Sequence, residues 1–334
     1  INVPIMAALL MSAPKLLPEY RNENAGRLDL ASVALSLLAV LPFIYGLKEM
    51  AANGFQAAAL VPVAVGIVFG FLFIRRQKQL ADPLIDLALF RIPAFNASLM
   101  VNLAGVFFIF GIFLFQNQYL QLVLGLSPLQ AGLWSIGPSL VFTVMSLQAW
   151  RVTGRFGPVK SVIGGLLVYA VGAAIMGIAA YVQNLFGILG ASMLMGLGFV
   201  PVILTTTGLI VGSAPPERAG SASAISETSA EFGGALGVAV MGSLATFIYR
   251  AMMTAADFTA LPAGAAQAAR GSLGAAVEEA RKLGVTEAPW LTLAREAFSD
   301  GFALCCILAA FALLLLASVS AKVYAASDIK LGGH

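Results

Sequence analysis

The stretch PAFNASLMVNLAGVFFIFGIFLFQNQYLQLVLGLSPLQAGLWSIGPSLVFTVMSLQAW, residues 93–150, contains no Asp, Glu, Lys or Arg. Crossing the hydrocarbon core of a bilayer takes about 20 apolar residues. The stretch therefore holds more than one crossing, with the turn dipeptide Ser127-Pro128 between them. Residues 161–216 are equally free of charge and end at Pro215-Pro216. Soluble domains carry roughly 25% charged residues; here the figure is 10%, with 60% hydrophobic residues and a mean hydropathy of +0.92. Such a chain cannot clothe itself in a hydrated surface, and lipid is the solvent that it requires.

Extending the same reading to either side predicts eight complete helical spans, near 30–48, 55–74, 94–115, 130–150, 161–181, 184–210, 219–249 and 299–323. The chain opens inside an apolar run, INVPIMAALLMS, read as the end of a ninth helix over 1–12. Placing the loop 13–28 in the cytosol puts thirteen Lys/Arg on that side and six on the other, as the positive-inside bias requires. Lys48 falls in the second group, at the outer end of its span. Residues 75–92 are expected to include a short amphipathic helix along the headgroups. Residues 250–298 are too long for a simple loop. Their stretch PAGAAQAARGSLGAAVEEARKLG is rich in helix formers and predicts a helical hairpin with a second arm near 288–297.

Several functions are excluded. The net charge of +3, with no basic stripe and no interleaved aromatics, argues against nucleic acid as a partner. Cys305 and Cys306 sit side by side in an apolar run, a spacing that suits neither a disulfide framework nor a metal site. GRFGPVKS (154–161) has the outline of a phosphate loop, but Val159 stands where the Gly before the Lys belongs. Ser226 and Ser229 have no His partner, since the one His is His334 at the terminus. No enzyme, cofactor or metal is expected.

Apart from Lys48, Asp300 and Lys322 at span ends, the charged residues within the predicted spans are Glu227 and Glu231. An ionisable group at membrane depth costs about 3 kcal/mol or more and marks a functional site by default. At i,i+4 the two share a helix face, together with the small residues Gly220, Ala224, Gly234, Ala235 and Gly242. Glu231 lies roughly 18 Å along a helix starting at Ala219, at 1.5 Å per residue. Burial of two neighbouring carboxylates disfavours charging both. The pair could then hold a proton when empty and lose it when a cation arrives. The competing reading is structural, with ion pairing to cations beyond this stretch. A further set is Asn96, Asn102, Gln116, Asn117, Gln118 and Gln121, set among Phe107, Phe108, Phe110, Phe113 and Phe115. It suits a loose cation–π pocket; in the plainer reading the rings face lipid and the amides cap the helix end. Trp134, Met193 and Met195 either line that pocket or pack.

The segments PLIDLALFRIPAFNAS, QYLQLVLGLSPLQAGLWSIGPS, GRFGPVKSVIGG and PPERAGSASAISETSAEFGGALGVAVMGS resemble the 14-span drug:proton antiporters of the major facilitator superfamily, among them quaternary-ammonium and methyl-viologen exporters. The resemblance implies an all-α polytopic membrane protein, the C-terminal part of a 14-helix bundle with eight complete spans plus the end of a ninth. It implies two central linker helices in 29–75, a cytosolic linker at 76–92 and the first five helices of the C-terminal half-bundle in 93–249. An extracytoplasmic hairpin at 250–298, a last span at 299–324 and a cytosolic tail at 325–334 would follow. Partners would be lipophilic cations, protons, membrane lipid and an N-terminal half of the same protein, in a bacterial inner membrane. Glu231, Glu227, Asn102, Phe110 and Trp134 would bind substrate or protons. Gly154, Arg155 and Gly157 would form the loop that locks the halves, although Phe156 follows Arg155 where the first-half loop has an acid. Gly233, Gly234 and Gly237 would match the glycine-rich antiporter motif. Many relatives carry Arg-Gln at Ala230-Glu231, and the carboxylate here favours a cationic substrate. Export of an endogenous metabolite is the alternative within transport, and a non-transporting scaffold or receptor subunit the alternative outside it.

Overall fold

The computed structural model describes residues 29–53, 56–80, 83–259, 261–285 and 287–326, with Met6. The expected helix end at 1–12, the loop 13–28 and the tail from 327 lie outside them. Among the described residues every regular element is helical. The longer elements are α1 (Leu30–Asn53), α2 (Ala57–Gln77), α3 (Pro93–Gln118), α4 (Pro128–Trp134), α5 (Ile136–Phe156), α6 (Pro158–Tyr181), α7 (Leu185–Gly212) and α8 (Ala219–Met253). They are followed by α9 (Ala263–Gly271), α10 (Leu273–Lys282) and α11 (Pro289–Ala326).

Among the described residues seven helices are long and apolar enough to cross a membrane, by length and composition. One of the eight expected spans, 130–150, is not among them. It is divided at Ser135 into α4 and α5. α5 mixes Ser139, Thr143, Ser146, Gln148, Arg151 and Arg155 into its apolar residues, although it still packs along α7. The break is prepared upstream. α3 widens into a π-turn over Tyr119–Val123, Gly125 takes φ 68°, and Ser127 and Gln130 close a capping box in front of Pro128. Each of these satisfies backbone groups that a bare helix end would leave open.

In lipid, helices associate through close packing at small residues rather than through the hydrophobic effect. That rule explains the bundle. A Cβ on Gly165 would strike the Gly198 carbonyl of α7, and one on Gly177 would strike the Ala303 carbonyl of α11. Tyr119 donates to the Ala180 carbonyl at 2.9 Å, and Thr153 meets Thr205 at 2.9 Å. Leu147, Trp150, Ile178, Phe247, Phe311 and Leu315 are exposed, as a lipid-facing or covered surface requires.

The α1–α2 hairpin docks on α8, where the Phe43 and Phe232 rings lie 5.7 Å apart. One end is closed by Arg76, whose Nε and Nη2 donate to Asp29 at 2.7 and 2.8 Å, with Ser32 Oγ donating at 2.6 Å. The Arg76 guanidinium, helped by Ser32, holds the Asp29 carboxyl well below its ordinary value of 3.8. A depressed folded-state value means that the stabilisation is present above pH 3.8 and is lost as the pH falls further. The difference in thermal stability between wild type and Asp29→Asn is therefore expected to stay constant from pH 7 to about 5 and to narrow in stronger acid. Melting curves across that range check it.

Two expectations need correction. Residues 83–92 form turns with one 3₁₀ turn, Leu89–Arg91, rather than an amphipathic helix. Pro93 holds the residue before it, Ile92, in an extended conformation, and Leu89 is drawn into a small core with Phe95, Ile210 and Ile225. The second arm near 288–297 is no separate helix but the opening of α11, which runs unbroken from Pro289 to Ala326. Between α8 and α11 the chain breaks at Ser272, which caps α10 by accepting from Ala275 N. Tyr249 OH reaches the Ala269 carbonyl at 2.8 Å.

Candidate functional site

α3 and α8 cross closely because α8 carries glycine at i,i+4. A Cβ on Gly233 would fall on the Leu103 carbonyl, and one on Gly237 on the Phe107 carbonyl. Gly111 is the reciprocal gap, filled by Met241. One residue round the helix, Gly234 meets the face of the Phe110 ring. The close crossing thus sets Phe110 of α3 beside the α8 turn that carries Glu231.

There the two residues line one cleft of 340 Å³. Its walls are Val106 and Phe110 of α3, Ile203 of α7, Lys48 of α1, and Ala230, Glu231, Gly234, Ala235 and Val238 of α8. A second cleft of 420 Å³ shares Lys48 and Val238 with it and continues past Gln118, Gly242 and Tyr249 to the α9–α10 junction. Among the described residues neither Glu231 nor Glu227 has an ion-pair partner.

Sequence reasoning placed both carboxylates in buried surroundings; on the described surface both are exposed. At 3.6 residues per turn Glu231 stands about 200° from Gly233, which faces α3. The close packing therefore excludes it. Glu227, one turn nearer the α8 N-terminus, is exposed and not among the residues that line the Glu231 cleft.

The other candidates separate. Asn102 is 1% exposed and sits between α3, α7 and α8. Its Nδ2 donates to Thr207 Oγ1 at 3.2 Å and lies 3.5 Å from Ser226 Oγ, and its Oδ1 has no partner among the described residues. Trp134 packs edge-on against Phe186 at 5.8 Å and is not part of the Glu231 cleft. Phe115 is buried against Phe298 and Phe302, and Phe107 packs edge-on against Phe108. Asn96 donates to the Phe90 carbonyl and Asn117 to the Phe113 carbonyl, so both amides serve their own chain ends. Gly157 joins α5 to α6 at φ 77°, a left-handed conformation that disfavours any side chain. Arg155 is exposed, its guanidinium 5.8 Å from the Phe156 ring, and a Cβ on Gly154 would meet open space.

Lys48 was missed. The reading that left Lys48 at the outer end of its span is corrected by α1, which runs past it to Asn53 and brings it to the Glu231 cleft. The available signal was the helix-favouring LKEMAAN that follows Gly46. The cleft so combines an unpaired carboxylate, an aromatic face and one ammonium. A cation gains from the first two and is opposed by the third.

Residues 97–332 match the family described as Major Facilitator Superfamily. The chain is 36% identical to the multidrug efflux pump LfrA of Mycolicibacterium smegmatis, over 96% of its own length and 63% of that protein's. It is 32% identical to the tetracenomycin C resistance and export protein of Streptomyces glaucescens, over 73% of this chain and 46% of that protein. It is 28% identical to the methyl viologen resistance protein SmvA of Salmonella typhimurium, over 95% and 64%. The chain spans between about half and just under two thirds of the length of these relatives.

Proposed function

The chain belongs to the major facilitator superfamily and is an integral membrane protein, and on that premise we propose that it serves a proton-coupled antiporter that exports lipophilic cations by alternating access. In this reading the helices from Pro93 onward act as the C-terminal half of a 14-helix bundle in a bacterial cytoplasmic membrane, with the C-terminus in the cytosol. α1 and α2 are the central linker pair. The observation that carries the reading is Glu231, lining a four-helix cleft beside the Phe110 ring with no ion-pair partner among the described residues. A proton and a drug cation compete for that carboxylate, and exposure of the cleft to alternate sides turns the competition into exchange. Glu227 serves as a relay one turn away. The turn at Gly154, Arg155 and Gly157 holds one state. The relatives' names, which speak of multidrug efflux and methyl viologen resistance, favour the same substrate class.

Lys48 favours a second reading. A zwitterionic metabolite would satisfy Lys48 and Glu231 together in the one cleft. Everted membrane vesicles separate the two. A fluorescent dication is expected to accumulate under an imposed proton gradient and to dissipate that gradient as it enters, whereas a neutral amino acid does neither. Gradient-driven uptake of the amino acid alone would reverse the assignment, and a proton gradient indifferent to both would leave only a scaffold.

A further inference from the structure

A third cleft, of 330 Å³, lies between α3, α5 and α7, away from Glu231 and Lys48. Its chemistry lies in what its polar groups have already spent. Ser135 donates to the Ala131 carbonyl at 2.8 Å, Ser139 to Ser135 at 2.8 Å and Thr143 to Ser139 at 2.9 Å. From α7, Ser192 donates to the Ile188 carbonyl at 2.8 Å. A carbonyl only accepts, so in all four hydroxyls the proton points back into the helix. Lone pairs are what these oxygens have left to offer the cleft. From α3 comes Gln116, which is 7% exposed and lines the cleft, adding one amide acceptor and one amide donor group. Phe113 and Phe142 complete the wall. No charged residue is in it.

A pocket whose four hydroxyls and Gln116 Oε1 accept, with Gln116 Nε2 its one side-chain donor, and whose walls offer ring faces but no anion, favours ligands that donate. We propose that this cleft binds the N–H-bearing head of an aromatic cation, a protonated amine, amidinium or guanidinium, in preference to a quaternary ammonium. A quaternary nitrogen has the charge for the ring faces but no hydrogen for the oxygens. The proposal rests on the exporter reading only in taking lipophilic cations as cargo. It adds a second selection beside the Glu231 cleft, based on donors rather than on charge.

The test uses the intact purified protein and a matched pair of probes, naphthylmethylammonium and its N,N,N-trimethyl analogue, followed by naphthyl fluorescence. Wild type is expected to bind the primary ammonium more tightly. Ser139→Ala combined with Thr143→Val is expected to weaken that binding about tenfold and to leave the trimethyl analogue within about twofold. Removal of hydroxyls that back-bond their own helix does not endanger the fold. Gln116→Glu, which keeps an acceptor and adds a charge, is expected to tighten the primary ammonium instead. Equal affinities in wild type, equal losses for both probes, or no change in either would overturn the proposal. If vesicles transport neither probe while the binding difference persists, the exporter reading falls and this site stands.

Discussion

Glu231→Gln is expected to abolish export of dicationic compounds while the protein still inserts and folds. The amide keeps the size and most of the hydrogen bonding of the carboxylate. It removes the charge that offsets one end of a dication and the group that can exchange a proton for it. Two opposite charges in contact near a protein surface change affinity by a factor of hundreds at an effective dielectric of about 20. A loss of at least a hundredfold in resistance to a bis-quaternary compound is therefore expected, and a smaller one for a monocation, which leans more on the Phe110 face. Lys48→Gln should act in the opposite sense, because it takes a like charge out of the same cleft. Drug-susceptibility titrations in an efflux-deficient host, with protein levels checked in the membrane, measure both. Wild-type resistance from Glu231→Gln would remove this carboxylate from the mechanism, whereas a parallel fall in both variants would point to a zwitterionic cargo.

The spans were legible because charge is so sparse. The close crossing at Gly233 and Gly237 was not read from spacing, which picked out the small residues on the Glu231 face; those two glycines entered only through the resemblance to the antiporter motif. Facing was not legible either. Asn102 and Phe110 lie on one helix, and eight residues turn the chain by about 80° beyond two full turns. That offset is enough to send Asn102 into the α3–α7–α8 interface and leave Phe110 over the cleft. Which of the two would face a ligand depends on where α7 and α8 stand, and a single helix carries no record of that. Lys48 escaped because hydropathy ends a span at the first charge, whereas the helix that carries it continues. The carboxylates were expected in buried surroundings because Glu in an apolar run reads as membrane depth. Depth along α8 and cover by neighbours are separate quantities, and only the first can be counted from sequence. The division of 130–150 had its signals in Ser127-Pro128 and in the hydroxyls of α5. Those hydroxyls bond within their own helix, so hydropathy registers them only as a weaker span.

The α3–α8 crossing makes the second large prediction. Gly237→Val is expected to cost the protein both its fold and its transport, because the added Cβ falls on the Phe107 backbone carbonyl. A backbone oxygen cannot swing aside as a flexible side chain can, so relief requires α3 to move away from α8. Overpacking of this kind costs about 1–3 kcal/mol, and lipid offers no compensating hydrophobic drive to hold the helices together. The same movement withdraws Phe110 from Gly234 and opens the Glu231 cleft on its α3 side. Export should therefore fail even in the fraction that remains folded. Gly242→Ala on the same helix is the control for stability, since its methyl meets nothing within 4 Å, and its melting temperature is expected to match wild type. Thermal melts in detergent, read beside vesicle transport at equal protein level, separate the two effects. If Gly237→Val melts and transports like wild type, α3 and α8 do not cross at Gly237, and Phe110 loses its place beside Glu231.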